Sequence, residues 1–297
     1  MASALVLPPA SFLDDTYDAA AFVGDAHEPL AVIPPATHAP LYLWMADGDV
    51  LRIDVADRWR ATLCSTSKSA SRVHATFSDP SVRPNRELKC ATLTGRTAVF
   101  GTGGAVQIVR VKRHNVKIDW SHCALTFPSD VIDVCAYRRY ALVGLRSGRI
   151  ARVTLGKKPH VSANFSYHSA GAVTRLALAS ESEFVVAYTN GDLILGDIHT
   201  MRPMRHFSEH QNKFMFGLGL CVDKRHRMLA CGGDDKRVRV WSLDYEHPSV
   251  VLGPVGTDCV TALSWIPDTH RPSAPLPALA AASGCVVRMY SCGGPLS

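Results

Sequence analysis

Apolar and polar residues alternate with a period of two along most of this chain. In residues 237–242, Val238, Val240 and Ser242 fall on one side, and Arg237, Arg239 and Trp241 on the other. That period predicts strands, since successive side chains of a strand point to opposite faces. β-branched residues dominate the runs, which are five to seven residues long and end at Gly or Asn-Gly turns. Asp47-Gly48 and Asn190-Gly191 have the make-up of tight hairpins that need a positive φ. No window of 12 residues keeps helical spacing without a Gly or Pro. The chain is therefore expected to be all-β.

The strands recur as a unit: an apolar strand, a short turn, a second apolar strand, a Gly or Asp turn, and a third alternating strand. The clearest copies are residues 131–155, 173–198, 218–243 and 260–290, with a weaker copy at 88–111 and a fragment at 41–55. With the turn before the third strand as marker, Gly48, Gly104, Gly148, Gly191, Asp235 and Gly284 stand 56, 44, 43, 44 and 49 residues apart. Four-stranded propeller blades repeat at about 40–45 residues. The two long intervals carry polar stretches at 65–72 and 79–86 and a Pro-rich loop at 267–277. The expectation is one β-propeller domain over residues 1–297, with six to seven four-stranded blades and residues 1–18 as a flexible tail. A seventh blade would have to come from the first 40 residues or from 62–86. The last copy stops on its third strand, 286–290, and an open edge invites aggregation. A segment within residues 19–33 is expected to supply the fourth strand and close the ring.

Residues 209–243 resemble a WD repeat. His210 stands before the first strand, where these repeats carry Gly-His, and Asp235 lies six residues before Trp241. The resemblance implies a hydrogen-bonded chain of His210, Asp235, a hydroxyl residue and Trp241 that fixes the blade; at the hydroxyl position the sequence is read as having Gly233. The C-terminal third is similar to a narrower family, the fourth of the cullin-4-associated substrate-receptor factors. The matching pieces are 191–199, His210-Gln211-Asn212, 218–243, 260–264, a Pro/Ala-rich insertion and a last blade without the Trp. Such relatives dock on the DDB adaptor of the ligase through a Trp-Asp-x-Arg box. Here the matching positions are Gly196, Asp197, Ile198 and His199, so the remnant is Asp197 with His199 in the arginine's place. Losing the Trp and the Arg removes the aromatic anchor and guanidinium expected to carry the interface.

Composition narrows the chemistry. Hydrophobic residues make up 47% and charged residues 20%, with a net charge of +6: an ordinary globular chain, mildly biased towards acidic partners. Nine cysteines without a C-x-x-C, inside apolar runs, read as buried thiols of a reducing compartment. No stretch reaches the roughly 18 apolar residues of a membrane span, and residues 1–10 have no basic region. The expected location is the nucleus or cytoplasm, away from membranes. No nucleophile elbow, metal-ligand spacing or complete phosphate loop is found, so no enzyme, metal or cofactor is expected. Gly101-Thr102-Gly103-Gly104 leads into a strand and reads as a hairpin. His206 and His210, at i and i+4, lie in a strand-to-loop segment where that spacing does not share a face.

Cations are the remaining signal. Arg138-Arg139 and Lys224-Arg225-His226-Arg227 fall between first and second strands; Lys112-Arg113 with Lys117, and Lys157-Lys158, follow third strands. In a propeller both loop classes emerge on one face, so these clusters would form a basic rim. It would either be solvated turns or a docking surface for an acidic protein segment or nucleic acid. Phe214-Met215-Phe216 reads as a strand packed in the core, with exposed apolar surface as the alternative. The function expected is a scaffold, monomeric within a complex, recruiting protein to a cullin-4 ubiquitin ligase. The rival is an RNA- or chromatin-associated scaffold using the basic rim.

Overall fold

The computed structural model describes residues 88–94, 97–110, 124–165, 167, 171–213, 217–266, 278–284 and 286–290, together with the strand backbone between residues 30 and 76. Every regular element among the described residues is a strand, and each pairs antiparallel with its sequence neighbour. The backbone groups into two compact units: residues 1–141 with 155–160, and residues 142–154 with 161–297.

Two complete sheets belong to the first unit. One has five strands, β1 (Leu30–Ala31), β2 (Leu41–Trp44), β3 (Val50–Asp54), β4 (Arg60–Cys64) and β5 (Arg72–Thr76), in that order. The stretch considered above for a seventh blade thus gives its strands to this sheet. β6 (Leu88–Thr94), β7 (Thr97–Thr102), β8 (Ala105–Arg110) and β9 (Ala124–Thr126) form the second. β6 lies against β10 (Val131–Tyr137). Gly101 is required there, because a Cβ would sit 2.6 Å from Val131 Cγ1 and collide with the Cys90 thiol.

β10 continues into β11 (Tyr140–Leu145), β12 (Ile150–Thr154) and β13 (His160–Phe165) as one four-stranded sheet. The second unit then holds β14 (Val173–Leu178), β15 (Glu183–Tyr188), β16 (Leu193–Asp197) and β17 (Pro203–His206); β18 (Leu220–Asp223), β19 (Met228–Gly232), β20 (Val238–Ser242) and β21 (Val250–Leu252); and a three-stranded sheet of β22 (Ala262–Ile266), β23 (Ala278–Ser283) and β24 (Val286–Tyr290). The expected fourth strand for β24 is not found among the described residues. The described part of the 19–33 window, β1, pairs with β2 instead.

The repeat is visible bond by bond in the second unit. The N–H groups of Leu145, Tyr188 and Gly233 donate to the carbonyls of Arg149, Asp192 and Arg237, and those of Gly148, Gly191 and Lys236 to the carbonyls of Leu145, Tyr188 and Gly233. Positive φ falls at Gly103, Gly148, Gly191, Lys236 and Gly284. The sequence marker is therefore displaced by one residue at Gly104 and at Asp235. Lys236 takes φ 67° where the other turns have glycine, a conformation that costs a residue with a Cβ about 1 kcal/mol.

Middle strands are buried on both faces, as sheets sandwiched between neighbours must be: all but the first residue of β15 and of β19 is buried. Between β14–β17 and β18–β21 the core holds Val185, Ala187, Leu195, Phe207, Leu229, Cys231 and Trp241. Between β18–β21 and β22–β24 it holds Ala230, Val238, Val260, Leu263 and Leu279. The first strands β14, β18 and β22 run beside one another, the placement expected at the inner edge of propeller blades.

Candidate interaction surfaces

The turn that opens β18–β21 is set by His210. Its Nδ1 lies 3.1 Å from the Gly191 carbonyl and must carry the proton, because a carbonyl only accepts. Its Nε2 is left to accept from the Cys231 thiol at 3.3 Å. Burial pushes the Cys231 pKa up to about 12, so the thiol keeps the proton it donates. Burial also holds His210 below its usual pKa, leaving a neutral ring. Cys231 thus stands at the position sequence reading gave to a hydroxyl at Gly233. A side chain at Gly233 would strike the Asp235 carboxylate and meet Arg239 Nη1 at 3.1 Å. Cys231 lies on the neighbouring strand β19, opposite Arg239, so spacing from the turn does not locate it.

Asp235 does not reach His210. It pairs with Arg239 through two bonds, Nη2 to Oδ2 at 2.7 Å and Nη1 to Oδ1 at 3.1 Å. Burial opposes the charge of Asp235, but the Arg239 guanidinium outweighs it and holds the carboxyl below its usual pKa. Trp241 is fully buried and donates from Nε1 to the Ser208 carbonyl at 3.2 Å. The single chain of four groups implied by the resemblance is replaced by three separate groups of bonds: His210 with Gly191 and Cys231, Asp235 with Arg239, and Trp241 with Ser208. Arg239, spaced as an outward residue of an alternating strand, is 8% exposed and was missed by sequence reading.

The adaptor-box positions lie at the end of β16. Phe184 pairs with Gly196 as Leu229 pairs with Trp241, so Gly196 is the counterpart of the buried Trp241. A Cβ at Gly196 would lie 2.6 Å from the Phe184 ring and 3.2 Å from Phe165. Those two rings meet edge to face at 5.3 Å and occupy the space an indole takes in the next sheet. In the next sheet the aromatic side chain at this position, Trp241, fills core. Asp197 Oδ1 accepts from the Thr200 N–H at 2.5 Å and hydroxyl at 2.7 Å. Burial works against its charge, yet these bonds hold it below the usual carboxylate range. Arg152 Nη1 donates to the carbonyls of Ile198 at 2.6 Å and His199 at 2.9 Å, which fixes the turn while the His199 side chain is exposed. Arg205 Nη1 holds the Leu243 carbonyl in the same way.

The cation clusters divide. Lys112, Arg113 and Lys117 lie outside the described residues, as do Phe214, Met215 and Phe216. In the first unit, Arg138 (φ 51°) and Arg139 form the exposed turn between β10 and β11. Their guanidinium carbons sit 5.0 and 5.2 Å from the ring centres of Tyr137 and Tyr140. Lys157 and Lys158, also exposed, follow β12. The Leu155 N–H donates to the Arg139 carbonyl at 2.6 Å, which brings these two turns side by side. In the second unit the turn Lys224–Arg227 is organised by its own acids. Asp223 accepts from the backbone of Arg225 and His226 and lies 2.6 Å from His226 Nδ1. Arg227 is bound by Asp244 at 2.9 Å and by Glu183 at 3.0 Å, which raises its pKa above the ordinary arginine value. Arg227 works as a bridge between β15 and the turn after β20, so it is withdrawn from the rim proposed for it. Among the described clusters of the first unit, Arg138-Arg139 and Lys157-Lys158 are brought together.

No curated protein matches the chain in a sequence comparison. Residues 201–242, the stretch that carries His210, Cys231, Asp235 and Trp241, match the family WD domain, G-beta repeat, so that the chain contains a WD repeat, the kind of unit found in protein-interaction scaffolds, and its described elements are all strands, in antiparallel sheets that are mostly four-stranded.

Proposed function

We propose that this chain is a non-enzymatic scaffold of the nucleus or cytoplasm that serves as a substrate receptor of a cullin-4 RING ubiquitin ligase. The observation that supports this reading best is the turn 197–200, which displays His199 from a backbone clamped by Arg152 and capped by Asp197. A turn ordered in advance loses little entropy on docking. The finer assignment rests on the resemblance of the C-terminal third to the cullin-4-associated factors, in which an arginine occupies the matching position. Arginine offers a planar, bidentate donor set that histidine lacks. His199→Arg is therefore expected to raise recovery of the DDB adaptor in affinity purification by about 10-fold, on the order of 1.4 kcal/mol. Asp197→Ala should abolish it. If neither variant nor the parent recovers adaptor or cullin, the ligase role falls and the scaffold role stands.

A second reading is favoured by the exposed pair of turns Arg138-Arg139 and Lys157-Lys158: a scaffold within an RNA- or chromatin-associated assembly. Phosphate binding should weaken steeply between about 50 and 200 mM salt, whereas docking through the 197–200 turn should change little.

A further inference from the structure

β12, β16 and β20 are each the third strand of a sheet, and none of their residues is exposed. β24 holds the same place in the sheet β22–β24, yet Val286, Val287, Arg288 and Met289 are all exposed, Val287 by 65% and Met289 by 57%. The buried three pair onward with a fourth strand, β13, β17 or β21. Among the described residues β24 pairs with β23 alone. An edge of this kind leaves the N–H and C=O groups of every second residue without partners, which makes it a template for another strand. We propose that β24 binds, by antiparallel strand addition, an extended segment of a partner protein in which a carboxylate residue stands between two apolar ones. This does not depend on the ligase reading.

The second unit itself shows what a fourth strand is in this fold. β17 and β21 are four and three residues long and pair antiparallel with β16 and β20. A short extended segment is therefore enough. The residues of β24 set its chemistry. Arg288 and Tyr290 stand opposite Ala281 and Leu279, which belong to the core shared with β18–β21. Alternation turns Val287 and Met289 to the other face. A strand laid along β24 thus meets apolar surface at Val287 and Met289 and a cation between them.

Charge decides between a partner and a second copy. Arg288 is exposed and makes no ion pair with a described carboxylate. Opposite charges directly across an antiparallel pair attract, and like charges repel. Residues 286–290 contain no Asp or Glu, so two β24 strands paired about a twofold axis would leave both arginines without a partner. Each chain also carries a net charge of +6, which disfavours a second copy and favours an acidic occupant. Main-chain bonds along the edge supply the affinity, and the alternating side chains supply the selectivity.

The test titrates two fluorescein-labelled, amidated peptides, Thr-Val-Glu-Val-Thr and Thr-Val-Lys-Val-Thr, into the full chain. The glutamate peptide should bind about 10-fold more tightly than the lysine peptide, and Arg288→Glu should invert that order. An inverted preference requires a folded chain, so it separates recognition from unfolding. Hydrogen exchange with the glutamate peptide bound should show new protection at every second amide of residues 286–290. Equal affinity for the two peptides in parent and variant, protection at another strand instead, or no binding at about 1 mM peptide overturns the proposal. So does protection of the same amides without peptide. If that protection is lost on dilution, the edge belongs to a second copy; if it persists, the edge is covered by its own chain.

Discussion

The sheets β14–β17 and β18–β21 share a backbone and differ in how they fill it. Each closes its second turn with the same pair of bonds, Tyr188 with Asp192 and Gly191 in one, Gly233 with Arg237 and Lys236 in the other. Beneath that identity, β18–β21 buries one indole, Trp241, whereas β14–β17 has Gly196 at the matching place and fills the space with Phe165 and Phe184. The turn before β18 is held by a His–Cys contact, while Thr189 Oγ1 accepts from the Ala172 N–H at 2.9 Å above β14. The backbone pattern therefore specifies the unit, and the large side chain is a local solution that can arrive from a different strand.

The sharpest way to break this comparison is to empty each site. Trp241→Ala and Phe184→Ala should each cost about 3–5 kcal/mol in urea unfolding. A loss confined to Trp241 would show that Phe184 is not its counterpart. Gly196→Trp should disrupt β14–β17 alone, but be partly rescued by Phe184→Ala, with a coupling of about 1–3 kcal/mol in the double-mutant cycle. Additive effects would mean the indole and the phenyl ring do not share space.

His210 gives a smaller, pH-dependent test. Folded, its pKa lies below the usual 6.5 because it is buried; unfolded, it titrates near that value. The unfolded chain therefore takes up the proton first. The stability His210 contributes is fully present above about pH 6.5 and is lost as the pH falls towards the folded pKa. Below about pH 6.5, His210→Gln should remove a slope of up to about 1.4 kcal/mol per pH unit from the urea stability curve. Parallel curves for the two chains would exclude a buried neutral ring. Smallest is Lys236→Gly, which relieves the left-handed φ and should raise stability by about 0.5–1 kcal/mol in thermal melts. A loss would show that the lysine side chain does more than occupy the turn.

Strand type and repeat length were legible in the sequence because period-two alternation and Gly turns are local signals, present in residues such as 237–242 and 190–191. Turn positions were legible to within one residue, the displacement arising at Gly104, where the neighbouring Gly103 takes the left-handed φ, and at Asp235, where Lys236 takes it in place of a glycine. What pairs with what was less legible. The Asp235–Arg239 pair, the Cys231 thiol beneath His210 and the Arg227 bridge to Glu183 and Asp244 depend on which side chains meet across sheets, information that spacing along one strand does not carry. Arg227 shows this most clearly: as sequence it is one of four adjacent basic residues, and as structure it is an internal tie.

The arginine clamps carry a last consequence. Arg152 grips the carbonyls of Ile198 and His199, and Arg205 grips that of Leu243, so each donor belongs to the sheet before the turn it secures. Opening one sheet therefore strips its successor of a charged hydrogen bond that water cannot replace at fixed geometry. Fluctuations of neighbouring sheets should therefore be coupled, as in linear arrays with nearest-neighbour coupling. Amides of the 197–201 and 243–246 turns would then exchange with solvent at rates set by the preceding sheet rather than by their own.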